Sequence, residues 1–238
     1  FYFLLRRFAG LSKIEATAAA VMPCVLPGQW MIPSFIDGSY TIQGFLVFNL
    51  ALYASLHFVT SYEVIKFRGI VLVAVLYAAS LELMDHAVFL MPVAVLALLA
   101  LYLRDKRFLP VGSMVAVFVV LGIAKAVQAY VFPTVSASTT IDPTMAIFME
   151  RFVSFVLTVV PFSHSPGGES LDCRLLLTIM GLLTATGLVL GNWRDRCVLL
   201  LGISLAFCSS IVFLTVSKYY APRYAHIAGF GVNLVLIH

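Results

Sequence analysis

The amino-acid sequence predicts an all-α protein, a polytopic bundle of about seven to eight transmembrane helices with an interfacial helix on its outer face. Of its 238 residues, 62% are hydrophobic and 11% are charged, whereas a soluble domain carries about 25% charged residues. The mean hydropathy is +1.03. The basic residues stand between apolar runs, and a run of about 20 apolar residues is enough to cross a bilayer. These observations together indicate a chain that lies almost entirely in a membrane.

The first half of the chain contains five predicted spans. Residues 1–5 resemble the tail of an earlier helix, and the basic residues Arg6, Arg7 and Lys13 follow them. The first span is short and contains Pro23, which predicts a kink or a tilt. The spans of this half are predicted at about 14–26, 41–60, 69–83, 87–103 and 109–132.

The second half begins with the longest connection, 133–174. Within it, segment 145–160 has a helical period and carries Glu150 and Arg151 among apolar residues, which is typical of an interfacial or re-entrant helix. The remaining spans are predicted at 175–191, 197–216 and, truncated, 227–238. We therefore expect one transmembrane domain over 1–238. Because Phe1 is not a start methionine and the last apolar run covers about half a span, we expect the chain to be a fragment.

The basic loops predict the orientation. Four of them fall on one side of this topology, and the positive-inside rule places that side in the cytoplasm. Loops 27–40, 133–174 and 217–226 then lie on the non-cytoplasmic side. The cations of the four loops are Arg6, Arg7 and Lys13, then Lys66 and Arg68, then Arg104, Lys106 and Arg107, and last Arg194 and Arg196.

The segment SKYYAPRYAH, 217–226, is the first candidate site, because Lys218 and Arg223 lie on the side that is ordinarily poor in cations. Both side chains suit phosphate oxygens, which favours a site for the phosphate or diphosphate of a lipid-linked substrate. The alternative is an interfacial belt in which tyrosines such as Tyr224 and long cations mark the headgroup level. Both interpretations remain open.

Glu82, Asp85 and His86 form the second candidate site. Their i, i+3, i+4 spacing places them on one face if the helix persists through them. Polar side chains at membrane depth usually face a cavity, a partner or water, so these three are candidates to orient a sugar hydroxyl, act as acid and base, or bind a divalent cation. The alternative is a hydrated hairpin turn. Lys125 is a further candidate, with snorkelling to the interface as the alternative, and Asp37 is another, with a solvated loop residue as the alternative. Glu150 and Arg151, with His164 downstream, are the last candidates, and the alternative for them is a helix that caps the bundle.

Several function classes lack support in the sequence. It contains no P-loop, GxSxG, HExxH or N-x-S/T pattern, so ATP-driven and serine-hydrolase activities are not indicated. The four cysteines have no CxxC or metal-ligand spacing, and we predict neither a metal site nor a disulfide framework. The net charge of +4 comes from the loops between apolar runs, so we expect membrane lipid and no nucleic acid as partner.

Three stretches resemble the membrane region of GT-C-type glycosyltransferases, polytopic enzymes that take sugars from polyprenyl-phosphate donors on the non-cytoplasmic face. They are YFLLRRFAGLSKIEATAAAV, RGIVLVAVLYAASLELMDHAVFLMPVAVLALLAL and SKYYAPRYAHIAGFG. The last is similar to an outer segment in which an Arg-Tyr pair, here Arg223 and Tyr224, precedes a helix.

The resemblance implies sugar transfer from a polyprenyl-phosphate-linked sugar, without a cofactor or assisted by a divalent cation. It implies that Lys218 and Arg223 hold the donor phosphate, and that the catalytic base precedes Phe1 in a first outer loop. The bacterial inner membrane is the expected location. Two other classes remain open: a transporter or flippase of lipid-linked glycans, and a non-catalytic subunit that docks with partner membrane subunits.

Overall fold

The computed structural model of the chain describes residues 1–25, 36–131, 173–215 and 226–238. Most of these residues are helical, and no strand occurs among them. The helices are α1 Tyr2–Arg7, α2 Lys13–Val25, α3 Ile36–Ser61, α4 Phe67–Leu83, a 3-10 helix Asp85–Leu90, α5 Met91–Asp105, α6 Phe108–Val131, α7 Cys173–Leu190, α8 Trp193–Thr215 and α9 His226–Ile237. The predicted all-α class is confirmed for this part of the chain.

Three of these helical stretches are long and apolar enough to cross a membrane. They are Ile42–Ser61, Ala87–Asp105 and Phe108–Gln128, and they correspond to the predicted spans 41–60, 87–103 and 109–132. Two shorter apolar helices, Thr178–Leu190 and Ile227–Ile237, lie within the predicted spans 175–191 and 227–238. The predicted interfacial helix 145–160 lies outside the described residues.

The chain, predicted as one domain, forms two compact units. The first contains α3, α4, the 3-10 helix, α5 and α6, and α4 packs against both α3 and α6. Its core is an aromatic cluster of Phe48, Tyr77 and Phe118, all nearly inaccessible to solvent. The ring centroids of Tyr77 and Phe118 are 4.7 Å apart, and Phe48 packs edge-on against both rings. Such aromatic contacts stabilise a packed interior beyond the apolar area that they bury.

Three polar side chains inside the first unit bond to their own helices. The Asn49 amide donates to the Phe45 carbonyl at 2.7 Å, and the hydroxyls of Ser55 and Ser80 donate to carbonyls three residues earlier. Such bonds satisfy polar groups where water is absent. The outward faces are apolar, as expected of helices surrounded by lipid, and their exposed side chains include Leu46, Leu50, Val71, Leu72, Val75, Leu96, Leu99, Val120, Ile123 and Val127.

Short connections make successive helices of the first unit run in opposite directions. The α3–α4 connection and the turn between α5 and α6 therefore lie at one end of the unit, which we call the basic end. At the turn, Lys106 adopts a left-handed conformation with φ 56° and closes α5. The end of α4 and the 3-10 helix lie at the opposite end, which we call the acidic end.

The second unit contains α2, α7, α8 and α9, with most of α1. Helix α9 packs closely on α8, because a Cβ at Gly202 would lie 2.9 Å from the Gly231 carbonyl oxygen. Helix α7 contacts α8 at Gly187, where an added Cβ would lie 2.6 Å from a Leu199 methyl. Small residues thus set the close helix contacts of this unit, as they do in many membrane proteins.

Candidate functional site at the acidic end

Glu82 lies at the end of α4 and pairs with Lys125 near the end of α6. The Lys125 Nζ donates to Glu82 Oε1 at 2.9 Å. The Lys125 side chain is 17% exposed, whereas the Glu82 side chain is 71% exposed. The ammonium is therefore enclosed by the unit while the carboxylate still faces outward. A carboxylate in this position can accept a hydrogen bond from a hydroxyl while one of its oxygens stays with the lysine.

The α-helix does not persist through the predicted Glu82, Asp85 and His86 face. It ends at Leu83, and Met84 is extended, with φ −142° and ψ 100°. Asp85 and His86 then begin a 3-10 helix that leads into α5. The condition for a shared α-helical face is therefore not met. The side chains of Asp85 and His86 lie outside the described residues, so their roles stay predictions.

Most of the other predicted site residues also lie outside the described residues. Segment 216–225 contains Lys218, Arg223 and Tyr224, and segment 132–172 contains Glu150, Arg151 and His164. The backbone of Asp37 belongs to the first turn of α3, which begins before the predicted end of loop 27–40. Among the predicted site residues, the structure therefore brings together Glu82 and Lys125.

The basic end has a pocket that the sequence did not indicate. It measures about 260 Å³ and is lined by Phe58, Tyr62, Ile65, Lys66, Arg68, Gly69 and Leu72. The two cations were assigned only a topological role in the sequence. The sequence did contain one indication of the pocket, since two aromatic residues four positions apart, Phe58 and Tyr62, closely precede Lys66 and Arg68. In the structure the ring centroids of Phe58 and Tyr62 are 6.1 Å apart.

Arg107, also at the basic end, caps α3. Its Nη1 donates to the carbonyls of Thr60 at 3.0 Å and Val59 at 3.3 Å, both in the last turn of that helix. The last carbonyls of a helix lack intrahelical donors and carry partial negative charge. A guanidinium at this position therefore satisfies two acceptors and places its charge where the helix dipole favours it.

Arginines in the second unit also bond to carbonyl groups. Arg6 donates to Leu11, Arg194 to Ala9 and Arg196 to Val189, at 3.0, 2.9 and 2.8 Å respectively. The arginines that the positive-inside rule assigns to one side of the membrane thus also form hydrogen bonds with backbone carbonyls near helix ends. Because each of these guanidinium groups already has a protein acceptor, none of them is our preferred anion site.

Helices α2 and α8 each begin with a capping box. The Ser12 N–H donates to Glu15 Oε2 at 2.6 Å, and the Glu15 N–H donates back to the Ser12 hydroxyl. Asn192 and Asp195 make the same reciprocal pair. Glu15 and Asp195 thus lie in the first turns of their helices, where negative charge is favourable.

Among the residues that the structure describes, no group of three His, Cys, Asp or Glu side chains is placed to hold a metal ion. Cys197 and Cys208 are free thiols. No protein-family model, curated protein or solved structure matches the chain. The functional argument therefore rests on the geometry of the two ends of the first unit and on the sequence resemblance.

Proposed function

We propose that this chain is an integral membrane glycosyltransferase that moves a sugar from a lipid-linked phosphate donor on the non-cytoplasmic face of a bacterial inner membrane. One observation carries the proposal: in the first unit, the charges of the described helices α4, α5 and α6 lie near helix ends, with apolar stretches between them. Such a molecule presents its chemistry at the membrane surface. The charged residues are Arg68, Glu82, Arg104, Asp105 and Lys125.

In this proposal, the shorter helices cross the membrane as well and complete a bundle of about seven to eight helices. Helix α4 has 17 residues, so it is about 25 Å long at 1.5 Å per residue. The hydrocarbon core is about 30 Å thick. Met84 and the start of the 3-10 helix connect α4 to the next apolar stretch, Ala87–Asp105, and in this proposal Asp85 and His86 lie at the outer interface.

The chemistry needs a donor-phosphate site and a group that acts on the acceptor hydroxyl. Lys218 and Arg223 hold the donor phosphate, and Tyr224 lies beside them in the sequence. Glu82 accepts a hydrogen bond from the acceptor hydroxyl and is oriented by the Lys125 ammonium, whose Nζ lies 2.9 Å from Glu82 Oε1. Cations near the departing phosphate stabilise the charge that develops as the sugar is transferred.

Transport of a lipid-linked glycan is less well supported. Transporters usually place polar or broken-helix positions near the middle of the bilayer. The break at Met84 lies instead at the end of α4, and the three long apolar stretches are interrupted by no charge away from their ends. This arrangement supports an enzyme at the membrane surface.

A non-catalytic subunit of a membrane assembly is the second candidate, and one observation favours it. The Glu82–Lys125 ion pair accounts for both charges without a substrate, since each neutralises the other at the end of two packed helices. In that case the acidic end is a docking surface for a partner membrane subunit, and no residue of the chain is catalytic.

Binding of a fluorescent polyprenyl-phosphate sugar to the purified chain tests the proposal. Lys218→Gln and Arg223→Gln each remove one positive charge with little change in length, and each is expected to weaken binding by about tenfold, since a hydrogen bond to a charged group contributes about 1.5 kcal/mol or more. Lys13→Gln is the matched control, because Lys13 is an exposed cation at the start of α2.

The enzyme interpretation also requires turnover. Transfer of the sugar to a lipid or polypeptide acceptor should fall by at least about a hundredfold in Glu82→Gln if the carboxylate acts on the hydroxyl, the low end of general-base effects. Donor binding equal to wild type in both cation variants would refute the assigned phosphate site. Absence of both binding and transfer would favour the subunit.

A further inference from the structure

The pocket at the basic end combines two cations with an apolar wall. Lys66 and Arg68 are exposed lining residues, while Ile65, 8% exposed, is a buried one. Within the described part of the chain, neither cation has an ion-pair partner, in contrast to Arg104 and Lys125. Two unpaired cations on a concave surface attract a phosphate group.

The position of the pocket decides what kind of anion fits. It lies where the apolar stretch Ile42–Ser61 ends and α4 begins, which is the level of the lipid headgroups if α3 crosses the bilayer. Leu72, 47% exposed, continues the wall one turn into α4, toward the apolar middle of that helix. The ligand therefore meets positive charge at its headgroup and apolar side chains along its upper chain.

The size of the pocket agrees with partial enclosure of such a ligand. Sites for whole small molecules measure about 300–1,000 Å³, and this pocket, at about 260 Å³, is slightly smaller. It has room for a headgroup phosphate and the first carbons of a chain, and the rest of the chain lies in the bilayer.

We propose that this pocket is a binding site for one anionic phospholipid, with the phosphate between Lys66 and Arg68 and the acyl chain against Phe58 and Leu72. The site goes beyond the proposed sugar transfer, because it lies at the opposite end of the first unit from Glu82 and uses none of the donor-site residues. Its role is to anchor the basic end in a leaflet that contains anionic lipid.

Titration of the detergent-purified full chain with fluorescent phosphatidylglycerol tests the site, with phosphatidylcholine of the same chains as the zwitterionic comparison. The double variant Lys66→Gln, Arg68→Gln is expected to bind phosphatidylglycerol about ten- to thirtyfold more weakly, since each cation near a lipid surface contributes about fivefold. The control double variant Lys13→Gln, Lys106→Gln removes the same charge from residues outside the pocket and is expected to weaken binding by less than about threefold.

A second variant tests the apolar wall without changing charge. Leu72→Trp fills the pocket from an exposed position and is expected to weaken binding by at least about fivefold, while the thermal unfolding midpoint stays near that of wild type. Equal losses of phosphatidylglycerol affinity in the two double variants would show that the lipid is held by general charge attraction, and would overturn the proposed site. Binding unaffected by Leu72→Trp, or competition by glycerol phosphate as strong as that by phosphatidylglycerol, would overturn the lipid assignment.

Discussion

The two ends of the first unit use their charges in different ways. At the acidic end, the Lys125 side chain is largely enclosed and forms an ion pair with Glu82. At the basic end, Arg107 bonds to the last carbonyls of α3, while Lys66 and Arg68 line a pocket without ion-pair partners among the described residues. The same residue types therefore serve packing at one position and remain available to a ligand at another.

The comparison teaches that a count of cations does not locate an anion site. Arg104 and Arg107 belong to one basic loop, yet Arg104 forms an exposed pair with Asp105 and Arg107 reaches a helix terminus. Only the partners of each side chain separate these roles. The charges whose partners are missing, or whose partner remains exposed, are the ones that can meet a substrate or a lipid.

The largest stability effect is expected at Arg107. Arg107→Ala leaves the carbonyls of Val59 and Thr60 without this donor, and we expect it to lower the free energy of unfolding by about 2 kcal/mol, in the range for hydrogen bonds to charged groups. Unfolding of the purified chain in mixed micelles with increasing denaturing detergent measures the change.

Arg104→Ala is the matched control for this variant. Its partner Asp105 is the adjacent residue, and the Arg104 side chain is 50% exposed, so the loss should stay below about 1 kcal/mol. Equal losses in the two variants would contradict the assigned capping role of Arg107 and remove one side of the comparison between the two ends.

A smaller effect is expected from the Glu82–Lys125 pair. Because Glu82 is 71% exposed, we expect a coupling energy below about 1 kcal/mol. A double-mutant cycle with Glu82→Gln, Lys125→Gln and the combined variant measures it through the same unfolding experiment. A coupling above about 2 kcal/mol, far beyond exposed pairs, would make the pair mainly structural and favour the subunit.

The spans with the longest apolar runs could be predicted from the sequence. Predicted spans 41–60, 87–103 and 109–132 agree closely with the apolar helical stretches of the first unit, because a run of about 20 apolar residues has few alternatives to a helix in a membrane. The predicted span 69–83 also ends where α4 ends, at Leu83, but the extended backbone of Met84 was not predicted. The segment LELMDH contains no Gly or Pro, and the extended backbone there depends on how α4 meets the next helix.

The site was predicted less completely than the fold. Glu82 and Lys125 were both recognised as candidates, but they are 43 residues apart, and their pairing depends on the packing of α6 against α4. The pocket at the basic end needs the same information, since it depends on how α3 and α4 meet. Local sequence supplies the chemistry of each side chain, whereas helix packing decides which side chains meet.

Membrane topology is the most direct test of the central claim that the two ends of the first unit lie on opposite sides of a bilayer. In a chain with its native cysteines replaced by serine, a single cysteine at Glu63 marks the basic end and one at Glu82 marks the acidic end. Both positions are exposed. Labelling of intact cells with a membrane-impermeant maleimide should modify Glu82→Cys, whereas Glu63→Cys should react only after permeabilisation. Labelling of both from the same side would contradict the account, because α4 would then not cross the membrane.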